Sequence, residues 1–222
     1  LIAAWTTAGF ATLRMDKRGV GDSEGGPCSE LGFDTELGDF RAAFAQAREL
    51  DAARGVPLIV FGHSVGGMIA PLLAAEFAVH AVVVYGTSTE RWIDIMEATT
   101  LRQRLMRGES RQEAEKEVGK LRALALGEGL NGRSAAYHGE LHEVDLQAAW
   151  RATKCPRVLV LRGEYDWVVT PEEQAAIAEH TEAAVEVIDI PGLDHLFGWH
   201  PTRDASFEHY GEGSYGEGAA QR

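Results

Sequence analysis

The sequence has few cysteines, no long apolar run and a shortage of positive charge. The two cysteines, Cys28 and Cys155, cannot build a disulfide framework, and neither belongs to a cluster with the ligand spacing of a zinc site. No apolar stretch approaches the length of about 18 residues that a membrane-spanning helix needs. Lysine and arginine number 21 against 34 aspartate and glutamate residues, a balance that disfavours nucleic acids and anionic membrane surfaces as partners. The composition therefore predicts a globular domain with no metal, no cofactor, no nucleic-acid partner and no membrane span.

Short apolar segments with the length of buried strands alternate with segments of helical character. We expect strands at residues 11–15, 58–61, 81–85, 158–161 and 185–190. A helix ends near residue 8, and a long amphipathic helix covers residues 33–54, with an apolar face formed by Phe33, Leu37, Phe40 and Phe44. Because strands and helices alternate, the sequence predicts an α/β fold with a mostly parallel sheet flanked by helices.

This alternation is interrupted between residues 87 and 151, where charged helical sequence such as ESRQEAEKEVGKLRALALGEG occurs. We therefore divide the chain into a core part at residues 1–86, a helical insertion at 87–151 and a second core part at 152–200. The remaining residues, 201–222, end in HYGEGSYGEGAAQR, which has too little apolar content to pack and is expected to be flexible.

The stretch VPLIVFGHSVGGMIA, residues 56–70, contains the pattern Gly-x-Ser-x-Gly centred on Ser64. The pattern alone is weak evidence, but here an apolar strand precedes it and a helix-like segment follows it, as in a nucleophile elbow. Gly62 and Gly66 supply the small residues that such a sharp turn requires. Ser64 is therefore the candidate nucleophile, and the N–H of Val65, at the helix N-terminus, is the expected oxyanion donor. We expect His63 to be a packing residue.

A serine hydroxyl becomes a nucleophile when a base accepts its proton and an acid orients that base. His195 is the candidate base, because it alone of the eight histidines follows both a predicted strand and a Pro-Gly turn. Asp166 follows another predicted strand and is preferred as the acid, since catalytic groups collect at the carboxyl ends of parallel strands. Asp194 and Glu164 remain its rivals, although Asp194 is adjacent to His195 and poorly placed to face it. The other histidines of the second half are expected to be solvated or to cap helices: His138, His142, His180, His200 and His209.

The glycine-rich stretch RGVGDSEGG, residues 18–26, invites interpretation as a phosphate-binding loop. Its glycines do not have the dinucleotide-binding spacing, and no Gly-Lys-Ser/Thr follows. We interpret it as a turn-rich loop and expect an ion pair between Asp16 and Arg18.

The chain order Ser64, Asp166, His195 with a nucleophile elbow resembles the α/β-hydrolase superfamily, in particular bacterial serine hydrolases grouped with esterases and serine aminopeptidases. RMDKRGVGDSEG, residues 14–25, resembles the loop after the fourth strand of many such enzymes. The resemblance extends from Leu1 to about Trp199 and implies an α/β-hydrolase fold in which residues 87–151 form a helical cap. It also implies that early strands and an oxyanion loop precede Leu1, so we expect an N-terminally truncated sequence. A signal peptide would lie in the same missing part, and a cytoplasmic location is the default expectation.

Together these features predict a serine hydrolase that cleaves a carboxylic ester or thioester of a small-molecule acyl substrate through an acyl-enzyme. A serine aminopeptidase or an acyltransferase would use the same three residues, and no feature of the sequence separates these alternatives. A non-catalytic, hydrolase-like binding module is the alternative from another class, which the three filled catalytic positions disfavour. The sequence gives no indication of the oligomeric state.

Overall fold

A four-stranded parallel sheet forms the centre of the computed structural model, which describes residues 2–50 and 53–212. Its strands are β1 (Ile59–His63), β2 (Ala81–Tyr85), β3 (Arg157–Gly163) and β4 (Ala184–Ile190), and they lie in the order β1-β2-β3-β4. All three pairings are parallel, as the alternation of strands and helices predicts. The register pairs His63 with Tyr85, so β1 and β2 end side by side.

The helices connect and flank these strands. They are α1 (Ile2–Thr7), α2 (Phe33–Glu49), α3 (Val65–Glu76), α4 (Trp92–Met106), α5 (Arg111–Gly127), α6 (Ala135–Glu143), α7 (Leu146–Ala152), α8 (Pro171–Ala175) and α9 (Arg203–Glu208). Short 3-10 turns cover Cys28–Glu30 and Ala176–Glu179. Pro171 is the first residue of α8, where its fixed φ suits the helix and its missing N–H costs nothing. None of the helices within residues 2–50 and 53–212 has the length and the apolar character that crossing a membrane requires.

The apolar side chains form two buried clusters. One cluster lies along β1 to β3 and includes Val82, Val84, Val158 and Val160, together with the completely buried Trp150 of α7. The other joins α2 and α3 to the helices between residues 92 and 152; its members include Phe33, Leu37, Ile69, Tyr137 and Leu141. The sequence pattern Phe33, Leu37, Phe40, Phe44 therefore does mark the buried face of α2.

The predicted strand at residues 11–15 is wrong. These residues are irregular and largely exposed, with Leu13 63% exposed. A strand needs a hydrogen-bonding partner, and in the described sheet β1 pairs only with β2. The helix predicted over residues 33–54 ends at Glu49, while residues 51 and 52 lie outside the described residues.

Two further expectations require correction. The ion pair of Arg18 is not with Asp16: the guanidinium binds Asp39 of α2 through two bonds of 2.6 and 2.7 Å. Part of the segment predicted to be a flexible tail, 201–222, is folded, because α9 packs there and the side chains of Phe207 and Tyr210 contact Trp167. Residues 213–222 lie outside the described part of the chain.

The charged segment between residues 87 and 151 consists mainly of helices. Helices α4, α5 and α6 pack against one another, α6 also contacts α2, and α7 packs on α3. Ser110 and Glu113 form a capping box at the start of α5, which explains why this polar segment begins a helix there.

Candidate active site

Ser64 lies in the turn between β1 and α3 and has an unusual backbone conformation. Its φ is 55° and its ψ is −121°, a region that non-glycine residues rarely adopt and that marks functional strain. The turn is held by a bond from the N–H of Ser64 to the carbonyl of Tyr85, 3.0 Å. A Cβ on Gly62 would collide with the backbone of Gly66 and lie 2.7 Å from the nitrogen of Gly67, so only glycine fits there.

The first turn of α3 begins directly after Ser64. Val65 is the first residue of the helix, so its N–H has no carbonyl partner one turn earlier. Such free N–H groups and the helix dipole stabilise a negative charge near the helix start. The Ser64 hydroxyl makes no hydrogen bond to any other described residue, and the residue as a whole is half-buried.

Asp166 and His195 form a buried pair at the carboxyl ends of β3 and β4. Asp166 Oδ2 lies 3.0 Å from His195 Nδ1, and the two residues are 1% and 4% exposed. The other oxygen, Oδ1, accepts hydrogen bonds from the N–H groups of Val168 and Val169 at 2.9 and 3.0 Å. Because a carboxylate can only accept, Nδ1 of His195 carries the hydrogen, which leaves the lone pair of Nε2 available as a base.

The end of β2 brings the pair and the serine together. Tyr85 accepts the backbone bond from Ser64, and the next residue, Gly86, lies against the pair. A methyl group on Gly86 would be 2.7 Å from His195 Nδ1 and 3.2 Å from Asp166 Oδ2. Ser64, Asp166 and His195 therefore all lie next to Tyr85 and Gly86, at the carboxyl end of β2.

The two rival acids have other partners. Asp194 is completely buried; its carboxylate accepts from the N–H groups of Leu196 and Gly198 at 2.9 and 2.7 Å and lies 2.9 Å from His200 Nε2. Glu164 accepts from the N–H of Gly192 at 2.9 Å. Asp166 is thus the carboxylate that faces the His195 ring, while Asp194 and Glu164 hold the backbone of the loop that carries it.

The expectation that His138 and His200 are solvated or cap helices is wrong. His138 is 1% exposed and lies between Trp92 Nε1 and the carbonyl of Leu130, each 2.9 Å away. His200 is 4% exposed and paired with Asp194. Neither is solvated, because each ring finds a specific polar partner in the fold that its position in the sequence does not reveal.

His63 packs as expected but also makes a polar contact. Its Nε2 lies 2.7 Å from the backbone carbonyl of His195, and its ring contacts Tyr85 and Phe197. Burial, and next the charge of His195, lower the pKa of His63 from 6.5 to about 4. His63 is therefore neutral near pH 7, and its Nε2 carries a hydrogen because a carbonyl can only accept.

The loop that carries Asp166 is anchored by groups that the sequence does not single out. Arg102 of α4 donates to the carbonyls of Trp167 and Val168 at 2.9 and 2.7 Å and to Glu173 at 2.8 Å. Gln174 of α8 is completely buried and links the carbonyl of Val169 to the N–H of Gly86. No local motif indicates these roles, since the loop partners of Arg102 and the Gly86 partner of Gln174 lie more than 60 residues away in the chain.

Comparison with known proteins identifies the family of the chain. The family model described as "Serine aminopeptidase, S33" matches residues 1–111, half of the 222-residue chain. The quorum-quenching protein AidA of Acinetobacter baumannii (strain MDR-ZJ06) is 42% identical over 59 residues, which is 27% of this chain. That segment spans only 19% of the length of AidA.

Solved structures share the fold. An esterase of Pyrococcus furiosus has a TM-score of 0.54 at 18% identity, over 86% of this chain and 64% of that one. The esterase domain of a Rhodothermus marinus protein has a TM-score of 0.53 at 23% identity, over 93% of this chain and 72% of that one. The chain thus spans less than two thirds of the Pyrococcus esterase. These likenesses, together with the parallel sheet, confirm the α/β-hydrolase fold.

Proposed function

Because the chain belongs to the serine aminopeptidase S33 family of hydrolases, we propose that it is a serine hydrolase that cleaves a carboxylic ester through an acyl-enzyme. The observation that carries this proposal is the buried contact of 3.0 Å between Asp166 and His195. The pair lies against Gly86, directly after Tyr85, whose carbonyl holds Ser64 in its strained turn. We assign residues 87–151 to the cap of this fold.

The mechanism follows from the hydrogen-bonding capacity of each group. Nε2 of His195 accepts the hydroxyl proton as Ser64 Oγ attacks the carbonyl carbon of the substrate. Asp166 holds the ring through Nδ1 and stabilises the imidazolium that forms. The N–H of Val65 donates to the oxygen that becomes negative. His195 then gives its proton to the leaving alkoxide, and water, activated by the same ring, releases the acid and regenerates Ser64.

The family description names an aminopeptidase, so an aminoacyl amide is the second candidate substrate. The same four groups would break an amide, with His195 protonating a leaving amine instead of an alkoxide. A panel of p-nitrophenyl esters, acyl thioesters and aminoacyl p-nitroanilides separates the two. We expect the highest kcat/KM on esters; higher values on the anilides would assign a peptidase.

Labelling with a fluorophosphonate tests the proposal directly, since only an activated serine reacts with it. We expect one covalent adduct, located at Ser64 by peptide mass spectrometry, and hydrolysis of p-nitrophenyl butyrate by the same protein. Ser64→Ala should lose both the adduct and essentially all turnover, because no other group supplies the acyl acceptor. Ser29→Ala, which removes an exposed hydroxyl, should retain both. A binding module without catalysis would give no adduct.

The assignment of the acid is tested by a pair of isosteric substitutions. Asp166→Asn leaves an amide facing Nδ1, which favours the wrong tautomer of His195 and should lower kcat by about 10²- to 10⁴-fold. Asn at position 194 can still accept from the N–H groups of Leu196 and Gly198, so Asp194→Asn should lower kcat far less. If Asp194→Asn were the more damaging of the two, Asp166 would not be the orienting acid.

A further inference from the structure

His63 connects the two loops on which the proposed reaction depends. It is joined by a peptide bond to Ser64, and its Nε2 lies 2.7 Å from the carbonyl of His195. One side chain therefore ties the residue before the nucleophile to the backbone of the base. The ring centroids of His63 and His195 are 5.0 Å apart.

Aromatic rings hold His63 in this place. Phe197 stacks on Tyr85 with ring centroids 4.3 Å apart and contacts the His63 ring at 4.9 Å. Phe197 has a φ of 63°, a conformation that is costly for a bulky residue and persists only where the surroundings impose it. The strain brings the ring of Phe197 onto the side of His63, which leaves that imidazole little freedom to turn away.

The same cluster also fixes the residue before His195. The hydroxyl of Tyr85 donates to the carbonyl of Asp194, and the N–H of Phe197 donates to that carbonyl at 3.2 Å. On the other side of His195, the N–H of Leu196 is held by the carboxylate of Asp194 at 2.9 Å. His63 supplies the contact to the carbonyl of His195 itself, so its removal leaves that carbonyl without this donor, while the N–H of Leu196 in the same peptide group keeps its bond to Asp194.

We propose that His63 is a positioning residue: its Nε2–H holds the carbonyl of His195 and thereby sets the distance between the Ser64 hydroxyl and the base. This inference rests on the proposed function of Ser64 and His195. His63 does not exchange protons with the substrate, because its hydrogen is committed to the carbonyl and burial keeps the ring neutral, with a pKa of about 4. Its effect is on geometry, and misplacing a reacting group by 1 Å can lower a rate by about 10²-fold.

Two substitutions separate this role from simple packing. His63→Met keeps a side chain of similar length but has no donor, whereas the amide nitrogen of Gln in His63→Gln can reach the same carbonyl. We expect His63→Met to lower kcat on p-nitrophenyl butyrate by about 10²-fold with KM changed by less than about twofold, since substrate contacts are intact. The kcat of His63→Gln should lie within about tenfold of the wild-type value. Concentrations of active protein are taken from the fluorophosphonate adduct.

Val82→Ala is the control for loss of stability. Val82 is completely buried in β2 at the end of the strand away from the site, so this variant should lower Tm while kcat remains that of the wild type. The positioning role is overturned if His63→Met keeps kcat within about threefold of the wild type, or if His63→Gln is as impaired as His63→Met. In either case His63 only fills space.

A measurement that needs no turnover distinguishes failure of this inference from failure of the proposed function. In protein with ¹⁵N-labelled histidine, the signals that His63→Gln removes belong to His63. We expect them to show the Nε2–H tautomer, unchanged from pH 8 to about 5.5. An Nδ1–H tautomer, or a titration in that range, rules out the bond to His195 even if Ser64 proves catalytic. If the Nε2–H tautomer is observed but the fluorophosphonate forms no adduct, the bond between His63 and His195 is confirmed and the proposed function as a serine hydrolase is rejected.

Discussion

His63 is neutral in the folded protein at pH values at which a histidine in an unfolded chain is charged. Its pKa is lowered from 6.5 to about 4, first by burial and then by the charge of His195. Between these two values the unfolded state binds a proton that the folded state does not, so the free energy of unfolding rises with pH across this window. The contribution of His63 to the free energy of unfolding is complete above pH 6.5. It is lost as the pH falls towards 4, and the loss amounts to at most about 3 kcal/mol.

Thermal unfolding of the wild type and His63→Gln at pH 7.5 and 5.5 measures this effect. Between pH 7.5 and 5.5 the free energy of unfolding of the wild type should fall by about 1 kcal/mol more than that of His63→Gln. This difference corresponds to about 2–4 °C in Tm for a chain of this size. His209→Gln replaces an exposed histidine and should follow the wild type. Equal pH dependence of the wild type and His63→Gln would mean that His63 is charged or solvated in the folded protein.

Individual residues differ in how far the sequence reveals them. The position of Ser64 in a turn between a strand and a helix is predictable because its signal is local: two glycines, a strand before it and a helix after it within about fifteen residues. The choice between Asp166 and Asp194 is not local, since it depends on which carboxylate reaches the ring across two loops. The structure brings Asp194 to His200 and two backbone N–H groups, a set of partners that no pattern of spacing indicates.

Arg102 makes helix α4 a support for the loop that carries Asp166. It binds the carbonyls of Trp167 and Val168 and the carboxylate of Glu173, and Thr99, one turn earlier, donates to the carbonyl of Val168 at 2.8 Å. The next residues of that loop are the ones whose N–H groups hold Asp166 Oδ1. A helix of the segment 87–151 is thus connected to the loop that orients Asp166, the proposed acid.

Arg102→Gln should therefore impair turnover by loosening this loop. A shorter neutral side chain cannot reach two carbonyls and Glu173, so we expect kcat to fall about tenfold with a smaller change in KM. Arg111→Gln on α5 is the matched control: it removes an exposed pair with Glu115, a contact worth less than about 1 kcal/mol. Stopped-flow or steady-state kinetics on one ester suffice. Turnover of Arg102→Gln equal to that of Arg111→Gln would show that α4 does not support the acid.

Whole strands and helices are predictable where a run of apolar residues indicates that the segment is buried. The run at residues 81–85 coincides with β2 because its side chains are buried, with Val82, Val84 and Tyr85 completely so. Residues 11–15, ATLRM, contain three apolar residues but have no neighbouring strand in the described sheet, and composition does not report whether a partner strand is present. Helix α9 is not predictable from its local sequence, because it is short and is stabilised by contacts with Trp167, far away in the sequence.

The helices between residues 92 and 152 share a hydrophobic core with the rest of the chain. Tyr137 and Leu141 of α6 belong to the same buried cluster as Phe33 and Leu37 of α2, and the ring of Tyr137 contacts that of Phe33 edge-on at 5.9 Å. Polar contacts reinforce this junction, since the carboxylate of Glu140 accepts from the N–H of Asp34 at 2.8 Å. A core common to both parts predicts that they unfold together, although the segment 87–151 reads as a separate unit in the sequence.

Leu141→Ala tests this cooperativity. Leu141 is completely buried, so the substitution should cost about 2–5 kcal/mol through lost contacts and a cavity. That cost corresponds to roughly 4–20 °C in Tm. Because the cluster spans both parts, helical circular dichroism, tryptophan fluorescence and ester hydrolysis should all be lost at the same lowered temperature. Leu124→Ala on α5, a residue 40% exposed, should change Tm little. If Leu141→Ala instead melted part of the helical signal early while hydrolysis persisted, the helices of the segment 87–151 would unfold independently of the rest of the chain.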